Sequence, residues 1–467
     1  MKKLTALLLG IIILVNILAT SGSAVERAED QSIIMGCHTI DATLPVMGSE
    51  QLIPNARSVL LYETTTDTLM YAWNADERVP PASLSKILTT YIAVEEGDIT
   101  EKVTVRQEVL DTVSKNAVKS DIKVGEELTL EALLHCMMVS SGNDAAAVIA
   151  DHIAGSQEGF VQLMNEYAKD IGCIDSNFTN AHGVHEEGQY STARDLGRIL
   201  AAALKSEAFC KVFGAAYYTI PATNLSESRH LISENYLING DFVQIYYDGR
   251  VTGSRTGVTD DKKRCIAASA KYNGLEMVSI VLGSASVYEA DGVKVRSFGG
   301  YLETSDLLDL AFDGYQPCQL IYNNQIMKQE VVENGDCSVS LGTKAAAATV
   351  LPAGISVDHL TIQYEHYSPQ IKAPIQEGDL LSLVKFTYGG KCVAQLDLYA
   401  MNSVKAVDSG VSAHSTEEKD NSGSNIALVI MSVILVAIVG FFLIPRIIVI
   451  IKRKRRKKQT RQRRRSQ

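Results

Sequence analysis

The sequence predicts an α+β domain, followed by a small all-β domain and a single C-terminal transmembrane helix. Three observations favour this architecture. Short apolar runs typical of strands lie on both sides of a helix-rich middle. A second set of strand-like runs, divided by Gly, Asn, Asp and Pro, follows from about residue 319. An uninterrupted apolar stretch near the C-terminus, residues 426–444, is long enough to cross a bilayer.

Residues 1–24 have the three parts of a secretory signal peptide. Basic Lys2 and Lys3 precede the apolar run Leu4 to Leu18, and small residues lead to Ala24, where we expect cleavage. An uncleaved N-terminal membrane anchor is the alternative, although the run is shorter than the roughly 20 residues that a span requires.

The first folded domain is predicted over residues 50–315. It opens with a β-hairpin formed by Arg57 to Tyr62 and Leu69 to Trp73. Helical spacing of apolar residues follows in Leu128 to Val139, Ala145 to Ile153, Gly159 to Ile171 and Thr192 to Leu204. Strand-like composition returns at Arg250 to Thr252, Arg264 to Ala270 and Met277 to Gly283, and Leu302 to Phe312 is predicted as a closing helix. The sheet is therefore expected to be completed late in the chain.

The second domain is predicted over residues 316–406. Its strand-like runs are Val331-Val332, Ser338 to Leu341, Ala348 to Leu351, Leu360 to Tyr364, Leu380 to Tyr388 and Val393 to Tyr399. Residues 407–424, rich in Ser, Gly and charge, are predicted to be a flexible stalk.

The C-terminal region combines a transmembrane segment, residues 425–451, with a basic tail, residues 452–467. The positive-inside rule places this tail in the cytoplasm and the folded domains outside the cell. The tail is expected to contact anionic membrane lipid, and its position beside a span argues against nucleic-acid binding. The net charge of −10 also makes the chain as a whole acidic.

The chain has eight cysteines, an even number that permits disulfides outside the cell. They stand singly within apolar patterns and show no Cys-x-x-Cys or Cys/His metal spacing, so we expect unpaired, partly buried thiols and no zinc site. The residues are Cys37, Cys136, Cys173, Cys210, Cys265, Cys318, Cys337 and Cys392.

The local pattern with the clearest chemistry is Ser83-Leu84-Ser85-Lys86, which follows paired prolines at a predicted helix start. A spacing of three places Ser83 and Lys86 on one face of a helix. A lysine whose pKa is lowered in a desolvated cleft can take the proton of a serine and activate it as a nucleophile. Two other stretches, Ser120 to Lys123 and Ser382 to Lys385, match the same pattern, so one match alone is weak.

Two further motifs, which follow the first in a fixed order along the chain, make the pattern specific. Ser141-Gly142-Asn143 lies at the break between two predicted helices, and Arg255-Thr256-Gly257 enters a predicted strand. The ordered triple resembles the S-x-x-K, S-x-N, K-T-G enzymes, and more closely the serine D-Ala-D-Ala carboxypeptidases among the low-molecular-mass penicillin-binding proteins. The resemblance covers roughly residues 55–312 and is carried by Asn55 to Ser58, Asn74 to Lys86, Ser141 to Ala146, Asn180 to Gly183, Ser191 to Asp195 and Arg255 to Gly257.

This resemblance implies a DD-peptidase/β-lactamase-like fold and no cofactor. Ser83 would be acylated, Lys86 would accept its proton, and Ser141 would relay a proton to the departing D-Ala. Asn143 would hold the substrate amide, Arg255 and Thr256 would bind the terminal carboxylate, and Thr256-Gly257-Val258 would lie along the substrate. The N–H groups of Ser83 and Val258 would form the oxyanion hole. The implied partners are the D-Ala-D-Ala end of the peptidoglycan pentapeptide stem and β-lactams, which would be covalent inhibitors. The implied location is a bacterial cell membrane, with the catalytic domain extracytoplasmic.

Alternative assignments exist for several of these residues. Ser141 and Asn143 are also candidate helix caps, as are Ser191 and Thr192, and His182 is a candidate base of a Ser-His-Asp triad.

Two departures from the family pattern leave other functions open. The family usually has lysine where Arg255 stands, and the arginine that often follows the last strand is hard to place, with Arg296 as a weak candidate. A catalytically weak muropeptide sensor is therefore one alternative. A β-lactamase is the other, although no E-x-x-L-N glutamate appears between Ile171 and Asp195.

Overall fold

The computed structural model describes residues 54–288 and 295–407. The predicted signal peptide, the transmembrane segment, the basic tail and residues 408–424 of the predicted stalk lie outside these described residues. Within the two described ranges, no helix is both long enough and apolar enough to cross a membrane.

The described chain contains eight α-helices and eighteen strands. The helices are α1 Ser85–Glu96, α2 Gln107–Leu110, α3 Leu130–Val139, α4 Asn143–Ala154, α5 Gln157–Asp170, α6 Ala193–Ala203, α7 Glu207–Phe213 and α8 Gly299–Gly314. The first eleven strands are β1 Ser58–Glu63, β2 Thr68–Trp73, β3 Lys102–Thr104, β4 Glu127–Thr129, β5 Tyr217–Ile220, β6 Arg229–Ile232, β7 Val251–Val258, β8 Arg264–Tyr272, β9 Leu275–Ser284, β10 Ser286–Tyr288 and β11 Val295–Phe298. The last seven are β12 Tyr315–Ile321, β13 Ile326–Glu330, β14 Val339–Gly342, β15 Ala347–Pro352, β16 Thr361–His366, β17 Leu380–Tyr388 and β18 Lys391–Ala400.

The main sheet of the first domain has the order β2-β1-β9-β8-β7, with antiparallel neighbours. The predicted hairpin is present, and β1 pairs with β9 from Ser58 opposite Leu282 to Glu63 opposite Met277. The prediction that the sheet is completed late in the chain is therefore confirmed. Strand β7, which carries the Arg255-Thr256-Gly257 motif, forms one edge of the sheet.

Each face of this sheet packs against an apolar core. Successive side chains of a strand point to opposite faces, so neighbouring residues enter different cores. Leu60 packs into the core shared with the helical insert, and its neighbour Leu61 packs into the core beneath α8. The sheet thus separates two layers of helix, and the helical insert between β2 and β7 supplies the larger one.

Side-chain caps fix the starts of four helices. Thr129, Ser156, Thr192 and Ser206 each accept a hydrogen bond from a backbone N–H in the first turn of α3, α5, α6 and α7. The assignment of Ser191 as a cap is wrong, because its hydroxyl bonds to Ser176 while its backbone pairs with Val79. Helix α4 has Gly142 at its cap position, with no side-chain cap, so the capping alternative for Ser141 and Asn143 is also wrong.

The second domain is all-β, as predicted. Its main sheet has the order β13-β14-β18-β17-β16, and β12 pairs with β15. Val331-Val332 is not a strand, because β13 ends at Glu330 and Val331 is exposed. Tyr315 and Val350 join the core beneath α8, so the two domains share apolar contacts.

Six described cysteines carry thiols: Cys136, Cys173, Cys210, Cys265, Cys318 and Cys337. Burial raises the pKa of Cys136 to about 12 and that of Cys265 to about 11, which makes both thiols poor nucleophiles. Cys392 is disulfide-bonded, so the expectation of unpaired thiols is wrong for this residue. Cys37 lies outside the described residues.

Candidate active site

Ser83 lies in a single 3₁₀ turn, Ala82–Leu84, which leads directly into α1. The preceding residue, Ala82, has a φ of +48°, in the left-handed region that costs a non-glycine residue roughly 1–2 kcal/mol. Such strain persists only when the surrounding structure holds the backbone in place. The nucleophile turn is therefore a constrained element.

Two glycines allow other backbone segments to approach this turn closely. A Cβ atom on Gly183 would lie 1.9 Å from the carbonyl oxygen of Ala82, and Gly183 itself has a φ of +80°. A Cβ atom on Gly257 would lie 2.8 Å from the backbone nitrogen of Ser83. The loop after Asn180 and edge strand β7 can approach the serine backbone because neither glycine carries a side chain.

Lys86 is fully buried at the first turn of α1, with an exposed fraction of 0%. Its Nζ donates to Ser83 Oγ at 3.4 Å, Asn143 Oδ1 at 2.7 Å and the carbonyl oxygen of His182 at 2.6 Å. Burial and the nearby charge of Arg255 lower the pKa of Lys86 well below its usual value, while Asp144 opposes the shift. A neutral amine beside Ser83 can accept the hydroxyl proton.

Asn143 and Asp144 link the lysine to one wall of the cleft. Asn143 N–H donates to the carbonyl oxygen of Val118 at 2.8 Å. The Asp144 carboxylate accepts from Ser120 N–H at 2.9 Å and from Ile122 N–H at 3.5 Å. The segment just before Ser120 lines the cleft, so these contacts fix the cleft wall relative to Lys86.

Arg255 points from β7 into the protein, between Ser83 and Ser141. Its guanidinium donates to Ser141 Oγ, to the carbonyl oxygen of Met138 at 2.8 Å and to that of Ser83 at 3.4 Å. Burial lowers the pKa of Arg255 to about 10, so the group remains charged at neutral pH. Only 5% of Arg255 is exposed, which means that its donors serve protein acceptors in this structure.

Thr256, Gly257 and Val258 continue along β7. Thr256 is half-buried, while Val258 is 54% exposed and lines the cleft beside Ser83. Because β7 is an edge strand, backbone N–H groups on its outer side are not used by the sheet and can bind a ligand. The structure thus brings together all eight predicted site residues: Ser83, Lys86, Ser141, Asn143, Arg255, Thr256, Gly257 and Val258.

The cleft at this site has a volume of about 770 Å³ and is large enough for a peptide end. Its walls come from the nucleophile turn, the segment before Ser120, the loop after Gly183 and the β7–β8 turn. Lining residues include Ser83, Asn116, Val118, Asn143, Gly183, Val184, Val258 and Thr259. Within the described residues, no group of three or more His, Cys, Asp or Glu is placed to hold a metal ion.

His182 contributes a backbone carbonyl to the site. Its ring Nδ1 accepts from Val184 N–H at 3.2 Å, within its own turn. Burial and the charge of Lys86 lower the pKa of His182 to about 4, so the imidazole is neutral at physiological pH. The lysine, which contacts Ser83 directly, fits the role of base better than His182 does.

Some features of the site were not predicted. We did not predict the contact made by the His182 carbonyl, the close approach of Gly183 or the hydrogen bonds of the Asp144 carboxylate. Each of these residues lies in a stretch that carries the family resemblance. The side chain of Arg296 lies outside what the structure describes. In the two other S-x-x-K matches, the lysines bond elsewhere. Lys123 Nζ donates to the carbonyl oxygen of Leu225, and Lys385 Nζ pairs with the carboxylate of Glu365 on a neighbouring strand.

Comparison with known proteins agrees with this geometry. The family model for D-alanyl-D-alanine carboxypeptidases matches residues 46–286, and a model for the C-terminal domain of penicillin-binding protein 5 matches residues 315–406. The D-alanyl-D-alanine carboxypeptidase DacF of Bacillus subtilis is 29% identical over 363 residues, covering 76% of this chain and 88% of that protein. DacC of Escherichia coli is 30% identical over 364 residues, covering 75% of this chain and 84% of that protein.

A solved structure shows the same fold. Penicillin-binding protein 5 from Haemophilus influenzae superposes with a TM-score of 0.64 at 25% identity, over 77% of this chain and 100% of that one. The matched regions span the catalytic residues and the all-β domain alike. The chain therefore belongs to the D-alanyl-D-alanine carboxypeptidase family of serine peptidases, the low-molecular-mass penicillin-binding proteins.

Proposed function

We propose that the protein removes the terminal D-Ala from peptidoglycan pentapeptides through an acyl-enzyme on Ser83. The observation that carries the proposal is the buried Lys86 amine, which contacts Ser83 Oγ and has a strongly lowered pKa. The named relatives support this activity over that of a β-lactamase or a muropeptide sensor.

The first half of the reaction forms an ester and releases D-Ala. Ser83 Oγ attacks the carbonyl carbon of the penultimate D-Ala, and its proton passes to Lys86 Nζ. The N–H groups of Ser83 and Val258 stabilise the oxyanion, each typically contributing about 3 kcal/mol. As the C–N bond breaks, Ser141 passes a proton to the departing amine and takes one from the Lys86 ammonium, which returns the lysine to its neutral form. The Arg255 charge beside Ser141 Oγ assists that transfer.

The second half regenerates the enzyme. Water attacks the ester carbonyl, neutral Lys86 accepts a proton from the water, and Lys86 then returns that proton to Ser83 Oγ, which leaves as the hydroxyl. A β-lactam opens on the same serine and gives a comparable ester, so penicillin should be a covalent inhibitor.

We also propose that the enzyme works outside a bacterial cell and is held at the membrane. The support is in the sequence: a signal peptide over residues 1–24, a transmembrane segment over 425–451, and a basic tail over 452–467 that favours a cytoplasmic C-terminus and contact with anionic lipid.

A direct test of the activity uses a fluorescent penicillin and a peptide ending in D-Ala-D-Ala. The wild-type protein should become labelled and release D-Ala, while Ser83→Ala should do neither. Lys86→Ala should slow labelling by roughly 100-fold or more, as expected when a general base is lost. Lys123→Ala and Lys385→Ala are the matched controls, because these lysines belong to the two other S-x-x-K matches. Both variants should label normally. Equal losses at all three lysines would overturn the assignment.

A further inference from the structure

One wall of the cleft, residues 114–119, is irregular and mostly open to solvent. Asn116 and Val118 line the cleft, and every residue of this wall except Ala117 is exposed. The carbonyl oxygen of Val118 accepts a hydrogen bond from Asn143 N–H at 2.8 Å. A segment without helix or strand has few contacts of its own, so the position of the wall depends on the chain that holds its ends.

The next segment, residues 120–127, is held by two sets of contacts. The first is made by the Asp144 carboxylate, which accepts the first N–H of the segment at 2.9 Å. The second is made by the loop that joins β5 to β6. Its Asn224 side chain accepts from Glu127 N–H and donates to the Gly125 carbonyl oxygen, both at 2.8 Å. Of the described residues that line the cleft, none belongs to this hairpin, so it acts on the segment from outside the cleft.

The centre of the second set of contacts is a buried ion pair. Glu126 is 0% exposed, and Nη2 of Arg229, the first residue of β6, donates to Glu126 Oε1 at 2.6 Å. The same carboxylate accepts from Thr223 Oγ1 at 2.8 Å and from Lys123 N–H at 3.0 Å. Arg229 Nη1 donates to the carbonyl oxygen of Asp121 at 3.1 Å. The guanidinium therefore joins two separate points of the segment.

The chemistry of both points favours an arginine. Asp121 has a φ of +54°, in the left-handed region that a non-glycine residue keeps only when its surroundings hold it there. The planar fork of a guanidinium can donate to two acceptors at once in a fixed geometry, which a lysine ammonium does less well. Without Arg229, the Glu126 carboxylate would be buried without its cation, which disfavours the present arrangement of the segment.

We propose that Arg229 is a positioning residue for the substrate cleft. It acts on the wall, residues 114–119, through its contact with the Asp121 carbonyl. The reacting groups have separate support, because Lys86 Nζ donates directly to Asn143 Oδ1. Loss of Arg229 should therefore weaken substrate binding more than it slows the chemical steps. This inference rests on the proposed function and adds a residue that lies outside the three motifs.

The test measures kcat and KM of the full chain for a peptide that ends in D-Ala-D-Ala. Arg229→Ala should raise KM about tenfold and change kcat by less than about threefold. Arg229→Lys, which keeps the charge but not the fork, should recover part of the loss. Guanidinium at a non-denaturing concentration should lower the KM of Arg229→Ala, because the wild-type side chain is 24% exposed and its site is open to a small cation. The same addition should leave the wild-type KM unchanged.

Arg250→Ala is the matched control. The Arg250 side chain is 22% exposed, close to the value for Arg229, and it also forms ion pairs, with Asp248 and Asp309. None of these three residues lines the cleft. Arg250→Ala should therefore leave KM unchanged, with or without guanidinium.

Hydrogen exchange gives a readout that does not depend on activity. In Arg229→Ala, amides of residues 114–127 should exchange faster, while those of the main sheet should keep their wild-type rates. Faster exchange throughout the main sheet, or equal losses in kcat and KM that guanidinium does not reverse, would show general support of the fold and would overturn the positioning role.

The failure of this inference and that of the proposed function are distinguishable. A wild-type protein that releases no D-Ala from the peptide would refute the proposed function. An active wild type whose KM is unchanged in a folded Arg229→Ala variant would overturn the role of Arg229 alone.

Discussion

At the scale of single residues, the chemistry depends on the protonation state of Lys86. A lysine in water has a pKa near 10.5, and burial beside Arg255 lowers the pKa of Lys86 well below this value. The neutral amine, which is the form that accepts a proton, predominates only above the lowered pKa. Acylation is therefore governed by an ionisation that the fold has moved towards neutral pH.

The rate constant for acylation by penicillin should rise with pH and level off well below pH 10.5. The rising part reports the fraction of neutral Lys86 in the free enzyme. Stopped-flow measurement of acylation between pH 5 and about pH 10, within the range of stable folding, checks this. A rate that continues to rise through pH 10 would contradict it.

Two neighbouring charges should move that rising part in opposite directions. Asp144 raises the pKa of Lys86, and Arg255 lowers it. Asp144→Asn should therefore shift the rise to lower pH, and Arg255→Gln should shift it to higher pH, whatever each variant does to the maximum rate. Shifts in the same direction would show that the charges act through the structure of the cleft rather than electrostatically.

The sequence predicts the identity of these groups better than their contacts. Ser83 and Lys86 are three residues apart, so helical geometry alone places them together. The contact of Lys86 with the carbonyl of His182 spans 96 residues and uses a backbone atom, for which residue type carries no signal.

At the scale of elements, the loop that carries Gly183 packs against the nucleophile turn. Gly183→Ala should reduce labelling by roughly 100-fold, since its Cβ would collide with the Ala82 carbonyl and displace Ser83. Gly188→Ala is the control, because its φ of +84° is similar but its Cβ would meet only Asn177, at 3.8 Å. That variant should lose about 1–2 kcal/mol of stability and keep its labelling rate.

The outcome would be read from penicillin labelling and thermal unfolding of both variants. Equal losses of labelling would assign the effect to backbone strain and would contradict the proposed collision.

The presence of the longer elements could be predicted from the sequence, because apolar periodicity marks α3 to α6 and the strands of the main sheet. The short hairpins β3–β4 and β5–β6 were missed, since three or four residues carry too little pattern.

At the scale of the whole molecule, the described residues 54–288 and 295–407 contain all eight predicted site residues and both domains. Deletion of residues 425–467 should therefore release active enzyme from the membrane into the medium, with kcat/KM within about twofold of the full chain, because the proposed span is separate in sequence from the residues that form the site. Cell fractionation followed by penicillin labelling checks this. A truncated protein that stays with the membrane would point to an uncleaved N-terminal anchor.

The all-β domain was predictable in kind from composition and turn residues, yet its contact with α8 was not. Tyr315 and Val350 join the core beneath α8, and no local sequence pattern indicates that partnership. The disulfide of Cys392 was likewise missed, because a cysteine standing alone in an apolar run gives no sign of a distant partner.

Two of the three acceptors of Lys86, Asn143 and the His182 carbonyl, lie far from it in the chain, and Gly257 packs against Ser83 from a further segment. A partly synthesised or partly translocated chain therefore carries Ser83 without the means to activate it. Reaction with an antibiotic would begin only when β7 has docked. On the proposed export route, newly translocated molecules would not react with penicillin until they have folded, and the delay between export and first labelling would measure the time of folding in the living cell.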